Sequence, residues 1–589
     1  MKKDESKMVR MIKNNFYVMK MVYRIDAKYV FVTFLLRVLS GLRTSFLYVY
    51  LLGTVLYFVE NKKEGGYILC FLAISALLLA AAFAAEAYYN HLFKPLHGER
   101  INCRLQQDFF EKLRGADMAN YDVTDTYTTI ALANEEITLR PLSVVDNLFG
   151  GMECLVAAAV IISGTVFTSW FVFGICVLSF LVGILLTNRN AEKVVRYDEA
   201  IKRKDKKLSL LYRLLYLPDY AKDTRLSRIH EVFLAEYDGV IKEKQAVAES
   251  DGKEIARLSL FQKMFCNAFC IDFLIPLCLC VAVLVFENLS VSTFVIAINA
   301  SAQIQLKLDG LTEAISEFLK NGRLAERIRN IDKIKCDIEK SAGSELNGEM
   351  QDISFRKVSF CYPDGTSGLW EVDLRIRKGD KIAVVGRNGS GKSTLIKLLL
   401  RFYDPTSGVI VQNDRNIKDF DISAYRGQFS TVFQDFNVYA TTIRNNICAG
   451  NEANEERIRE ALNKAGLSDK ITDLDVQLTR EFHEDGVLFS GGLLQRMALA
   501  RVFYENNDII IMDEPTAALD VFFERKFYDT IFHHLKEKTI VFVSHRLSSI
   551  TSCDKILYME QGRILEEGTH EELMKLNGGY CRLFHAQFD

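Results

Sequence analysis

The segment Gly386-Arg387-Asn388-Gly389-Ser390-Gly391-Lys392-Ser393-Thr394 carries the residue types that hold a chain of phosphates. In the spacing G-x-x-x-x-G-K-S, glycines let the backbone curl until successive N–H groups face one anion, and a helix opening at Lys392 adds its positive end. Lys392 is placed to reach the terminal phosphates, and the Ser393 hydroxyl suits Mg2+. A second run, Ile509-Ile510-Ile511-Met512-Asp513-Glu514, reads as a buried strand ending in two carboxylates. Asp513 would hold the Mg2+ shell through water, and Glu514 would polarise the water that attacks a γ-phosphate. Tyr362 closes the alternation Val358-Ser359-Phe360-Cys361-Tyr362 and offers an aromatic face to adenine, although a lone tyrosine is more often core or surface.

Positioning these groups requires a buried strand, Ile382-Ala383-Val384-Val385, followed by a helix whose inner side is Leu395, Leu398, Leu399 and Leu400. The rest of the chain has a different character. The whole chain of 589 residues carries a net charge of only -2, and the even balance hides two unlike halves. Apolar stretches crowd before residue 310, near 30 to 59, 67 to 89, 150 to 168, 170 to 187, 265 to 286 and 289 to 304. Each is near the roughly 17 to 25 residues of a spanning helix, and no polar face recurs at helical spacing, so six membrane spans are expected.

Basic residues from Lys2 to Lys28 and from Arg189 to Lys207 place the start of the chain and the second polar segment in the cytoplasm. No cleavable signal is expected, because the first apolar run lies too far in and is too long. Two charged segments, about 92 to 147 and 189 to 258, read as helical hairpins reaching into the cytoplasm. Their tips, near Met118 to Thr128 and Leu217 to Thr224, are where a soluble engine would grip. The basic run 202 to 207 is interleaved with acids and reads as a solvated helix face, not a nucleic-acid site. Cys266 and Cys270 lack companions for a metal set and read as packing residues. Arg37, Arg43, Glu153 and Asp272, with Asn299 and Gln303, are polar groups inside spans. Two readings stay open for them: lining of a substrate path, or pairing and snorkelling.

From about 351 to 589 the chain resembles the nucleotide-binding domain of ATP-binding cassette (ABC) transporters. The most specific match is Ser490-Gly491-Gly492-Leu493-Leu494-Gln495-Arg496-Met497-Ala498-Leu499-Ala500-Arg501, the family signature. Gln434 matches the loop that senses Mg2+, Asp520 in Ala518-Leu519-Asp520 the dimer-contact loop, and His545 the switch histidine. The six-span half is similar to the exporter-type membrane domain. The expected fold is multi-domain: an all-α six-helix transmembrane domain (1-310), a connector (311-350) and an α/β P-loop ATPase domain with an α-helical subdomain (351-589).

The resemblance implies that ATP and Mg2+ are bound by Tyr362, Gly386, Asn388, Gly389, Ser390, Gly391, Lys392, Ser393, Thr394, Gln434, Ser490, Gly491, Gly492 and Asp520. Within that set Ser393, Gln434 and Asp513 serve the metal, and Glu514 and His545 catalyse. Ser490, Gly491 and Gly492 would meet the γ-phosphate on the opposite subunit, so a second half-transporter, identical or related, is implied, in a bacterial plasma membrane. Phe489, Leu493 and His483 depart from the family pattern, and this leaves a heterodimer and a homodimer both open. The implied function is export of a lipid, peptide or amphipathic solute. The alternatives are an importer on the same fold or a regulatory membrane ATPase.

Overall fold

The structure is a computed structural model describing residues 7–165, 170–217, 220–286, 290–340, 343–346, 348–434, 436–480, 483–515, 521–544, 546–547 and 550–588. It divides into two compact units: Met1–Glu111 with Thr129–Lys333, and Lys112–Thr128 with Ile334–Asp589.

The helices up to residue 330 are α1 (Lys7–Ile25), α2 (Ala27–Ser45), α3 (Leu51–Glu60), α4 (Gly65–Tyr88), α5 (Lys94–Arg114), α6 (Ala119–Asp122), α7 (Thr124–Thr165), α8 (Trp170–Tyr216), α9 (Ala221–Leu226), α10 (Ile229–Gln262), α11 (Ile275–Phe286) and α12 (Val291–Asn330); α6 and the ends of α5 and α7 beside it belong to the second unit, the rest to the first. Among the described residues, four continuous helical stretches are long and apolar enough to cross a membrane: Ala27–Glu60, Gly65–Arg114, Thr126–Ser163 and Ile229–Val281. Small residues set how closely they pack. A Cβ on Gly41 of α2 would lie 2.7 Å from the Glu153 carbonyl of α7, and Ser45 one turn on donates to the Ala157 carbonyl. Cys270 is buried among Val49, Ile161, Leu279 and Ile304, as a small apolar filler.

The charged segments fold as helices tied by ion pairs. Across α8 and α10, Lys204 meets Glu243, Lys207 meets Glu236 and Lys244 meets Asp205. The basic run is thus engaged in an antiparallel helical ladder. Glu136 of α7 is fully buried, and its carboxylate accepts from Arg140 Nε at 2.6 Å and from Arg327 Nη1 of α12 at 2.9 Å, with Lys202 of α8 at 3.8 Å. One carboxylate therefore fastens three helices.

The second unit contains two sheets. The antiparallel one has order β2-β1-β4-β5, from β1 (Asp352–Cys361), β2 (Ser367–Arg377), β4 (Ser407–Gln412) and β5 (Arg415–Asn416). The other has order β10-β9-β3-β8-β7-β6, from β3 (Lys381–Gly386), β6 (Phe429–Val432), β7 (Ile509–Asp513), β8 (Thr539–Val543), β9 (Lys555–Glu560) and β10 (Arg563–Gly568). Its strands are parallel except for the edge strand β10. Both faces are covered, which is why these strands are continuous apolar runs. Ala383, Val385, Ile510, Met512, Ile540 and Phe542 enter one core, which holds α15 (Ile443–Cys448), α16 (Glu455–Lys464), α17 (Gly491–Glu505) and α18 (Val521–His534). Ile382, Val384, Ile509, Ile511, Val541 and Val543 enter the other, with α13 (Lys392–Leu399), α14 (Ile422–Arg426) and the antiparallel sheet.

The segment Lys112–Thr128, the first predicted tip and its approach, packs with this second unit. The buried Asp117 carboxylate accepts from the backbone N–H groups of Asp337, Ile338 and Glu339 at 2.9, 3.0 and 3.1 Å. Asn120 donates to the Lys335 carbonyl, and Glu339 receives both Nη1 contacts of Arg426 at 2.8 Å. The second tip belongs to the first unit, with residues 218–219 outside those described.

Asp117→Ala would leave three amides without their acceptor, at a cost of about 3 kcal/mol. Hydrogen exchange should then quicken by about a hundredfold at residues 337–339 and little elsewhere in the cassette. Unchanged protection there would show that the segment is held by other contacts.

Candidate functional site

Strand order brings the predicted residues to one edge. In β9-β3-β8-β7-β6 the phosphate loop leaves the carboxyl end of β3, Asp513 and Glu514 that of β7, and Gln434 follows β6. Parallel α/β sheets bind ligands at this edge because all the strand ends and the helix N-termini meet there. His545 and Asp520 lie outside the described residues.

The loop is built for close backbone approach. Gly386 has φ 153, and a Cβ there would sit 2.2 Å from the Met559 carbonyl. Gly391 has φ 103, with a Cβ 2.8 Å from the Gly368 carbonyl. Lys392 opens α13 and is 6% exposed, and its ammonium turns back into the loop to donate to the carbonyls of Gly386 at 2.9 Å and Arg387 at 3.1 Å. Burial pushes its pKa down, while Glu514 and Asp513 act to raise it. The Ser390 hydroxyl is buried with no hydrogen-bond partner in the protein. A cradle with a desolvated ammonium and an orphan hydroxyl fits a phosphate chain. Asn388, Gly389, Ser393 and Gln434 are exposed, and Ser393 with Asp513 supplies the hard oxygen donors that Mg2+ selects.

Glu514 has φ 49, the left-handed region, and its N–H donates to the Val543 carbonyl at 2.9 Å. That bond to the neighbouring strand fixes a backbone that a glutamate would otherwise avoid. Gln495 of α17 is buried, and its amide donates to the carbonyl of Pro515 next to Glu514. The signature helix is thereby tied to the carboxylate strand.

Ser490 stands at the start of α17 and is exposed, and its side chain caps none of the helix's amides. Gly491 follows, also exposed. The departures Phe489 and Leu493 pack against the core beneath the helix. Further along, Arg501 donates to the carbonyls of Asn446 at 2.6 Å and Asn437 at 3.0 Å and to Asn446 Oδ1 at 3.0 Å, so it braces the loop just beyond Gln434.

Tyr362 lies edge-on to Phe360 and Tyr403, with centroids 4.9 and 5.6 Å away, and its hydroxyl pairs with Thr394 Oγ1 of α13 at 3.0 Å. Lys397 lies over the Tyr362 and Tyr403 rings at 5.3 and 5.8 Å. Tyr403 is buried and donates to the Asp122 carboxylate of α6. Burial, then that acceptor, pushes its pKa up. Sequence reasoning missed this chain from Thr394 through Tyr362 and Tyr403 to Asp122, because nothing in the spacing pairs residues so far apart. It also missed the links made by Gln495 and Arg501, although both residues stand inside the signature.

Comparisons with known proteins agree with this architecture. Residues 369–517 match the family model described as ABC transporter. The chain is 36% identical over 305 residues to the ATP-dependent lipid A-core flippase of Hahella chejuensis, covering 51% of this chain and 52% of that one. The flippase of that name from Yersinia pestis is 35% identical over 308 residues, 52% of this chain and 53% of its own. The chain thus spans about half the length of the curated relatives it matches. A bacterial Atm1-family ABC exporter solved with ATP bound superimposes with a TM-score of 0.74 at 22% identity, covering 96% of this chain and 98% of the other. The fold is therefore that of an ABC exporter, a helical membrane-type half fused to an α/β nucleotide-binding cassette.

Two substitutions probe the site. Lys392→Ala should weaken ATP binding by about a hundredfold, as expected for loss of a charge-assisted contact in a desolvated cradle; unchanged affinity in a nucleotide titration would remove this lysine from the site. Tyr403→Phe should leave ATP affinity within about twofold yet raise hydrogen exchange across residues 117–122, since only the bond to Asp122 is lost. Exchange identical to the parent would mean that this bond does not hold the segment.

Proposed function

We propose that the chain, with the fold of an ABC exporter and a region matching the ABC transporter family, is one half of an ATP-driven membrane exporter that moves an amphipathic, lipid-like solute. The observation that carries the ATPase part is the register of β3, β8 and β7, which sets Lys392, Asp513 and Glu514 along one sheet edge. Six membrane spans, with the cassette and the N-terminus in the cytoplasm, complete the reading.

In this mechanism the loop amides from Asn388 to Thr394 and the Lys392 ammonium bind the β- and γ-phosphates of ATP, and Tyr362 stacks on the adenine. Lys392 exchanges two carbonyl acceptors for phosphate oxygens, a gain because its burial disfavours an unpaired charge. Mg2+, when bound, would neutralise charge on the phosphates, and Ser393, Gln434 and Asp513 are the residues that would hold it. Glu514 accepts a proton from the attacking water, with its backbone held by the Val543 carbonyl. His545 would hold that water and the γ-phosphate in line.

The start of α17 is open, with Ser490 and Gly491 exposed and Gly492 half-buried. This helix end would complete the phosphate site of a second half-transporter, with Asp520 at the dimer contact. Closure of two such sites draws the cassettes together. Asp117, Asn120 and Asp122, gripped by the cassette, then move with it and carry the motion into α5 and α7, whose ends flank the segment. Lipid as the transported class is supported by the flippase relatives.

The test is Glu514→Gln in lipid nanodiscs. ATP affinity should be retained while turnover falls by about a hundredfold or more. A variant that hydrolyses ATP at the parent rate would refute the assignment of the base.

A further inference from the structure

The helical unit contains a cavity of about 580 Å3 between α2 and α4 that the ATPase mechanism does not use. Its wall is largely apolar, with Leu39, Phe46, Leu79 and Ala82 contributing, yet Arg37, Arg43 and Glu86 also line it. The volume lies inside the range of about 300–1,000 Å3 typical of small-molecule sites. Charged groups in apolar helices are expensive and need a reason.

Their partners are only partly in balance. Arg37 Nη1 donates to Glu153 Oε2 at 3.1 Å, but that carboxylate also takes Ser40 Oγ at 3.1 Å and faces Lys307 Nζ at 3.8 Å. Arg43 pairs with Glu86 and lies 4.4 Å over the Phe83 ring. Arg37, Arg43 and Lys307 stand against Glu153 and Glu86, while Asp146, which also acts on Arg37, is paired with Lys94, so one positive charge is left over among these groups. The Nε of Arg37 is buried with no hydrogen-bond partner. A buried guanidinium N–H without an acceptor is costly, and an oxyanion at the open part of the same guanidinium offsets the surplus charge.

We infer that this cavity binds an amphiphile with an acidic head, such as a phosphate monoester, its oxygens on Arg37 and Arg43 and its alkyl chain along Leu39, Leu79 and Ala82. The inference rests on the exporter reading for the use made of the ligand, and names its chemical class. Binding itself requires no hydrolysis.

The experiment measures equilibrium binding of radiolabelled dodecyl phosphate to the full chain in phosphatidylcholine nanodiscs without ATP, with empty discs subtracted. Saturable binding is expected, weakened about tenfold by Arg37→Gln, the scale of one lost charge-assisted hydrogen bond. Glu153 keeps Lys307 and Ser40 in that variant, so its carboxylate stays satisfied. Ala82→Phe leaves every charge in place and fills the tail region, and it should weaken binding to a similar degree. Equal affinity in the parent and both variants would overturn the proposal. So would displacement by inorganic phosphate at matching concentration, which would mark a free-anion site, or by dodecyl maltoside, which would mark a generic detergent groove. Loss of the Glu514 dependence of ATP turnover would instead strike the exporter reading and leave this binding result untouched.

Discussion

A cation held out of water before its anion arrives is the constraint on which the cassette depends. Lys392 is buried, its pKa is pulled down by that burial, and its charge is held by two carbonyls of its own loop and by the field of Glu514 and Asp513. Such an ammonium is stable only on a rigid frame. The frame is the buried strand β3, with neighbours on both edges and apolar side chains entering a separate core from each face. Gly386 and Gly391 then let the chain turn against Met559 and Gly368 without a clash. Strand, turn and lysine form one device, and a polyanion gains free energy from it because the desolvation has been met during folding.

The same device reaches outward through hydrogen bonds and aromatic contacts. Thr394 sits two residues after Lys392 and meets Tyr362; Tyr362 abuts Tyr403; Tyr403 donates to Asp122. On the other side of the gripped segment, Asp117 binds the backbone at 337–339 and Glu339 is clamped by Arg426. A segment that lies between α5 and α7 in sequence is therefore held at two points by the unit that carries the phosphate loop. Packed side chains and hydrogen bonds of this kind are one means by which sites are coupled, and these contacts join the phosphate loop to the gripped segment.

Local chemistry in the sequence was enough to find the glycine-rich turn between β3 and α13, the strand ending in Asp513 and the helix opening at Gly491, because each depends on neighbours a few residues away. Gly386 to Lys392 is a turn whose spacing is its geometry, and Ile509 to Asp513 is apolar throughout because both faces are buried. The grip on Lys112–Thr128 was legible only as a position, a polar tip between apolar runs. The partners of Asp117 are some 220 residues away in sequence, and no periodicity encodes which carboxylate finds which amides. The pairing of Arg37 with Glu153 was hidden for the same reason. Both charges stood out as costly in an apolar run, but only the fold shows that Glu153 is shared with Lys307.

The two departures from the signature pattern acquire a physical meaning from where their side chains go. Phe489 and Leu493 lean on the core of the helical subdomain, whereas Ser490 and Gly491 between them face solvent. On a helix start, neighbouring positions point in different directions, so the chain can change what packs inward without changing what is presented outward. Leu493 adds buried apolar area beneath the first turn of the helix. The N–H groups of that turn are backbone and do not depend on the side chain at 493. What Phe489 and Leu493 bear on is how α17 is seated. Through Gln495 and the Pro515 carbonyl, that seating passes directly to the backbone that carries Glu514.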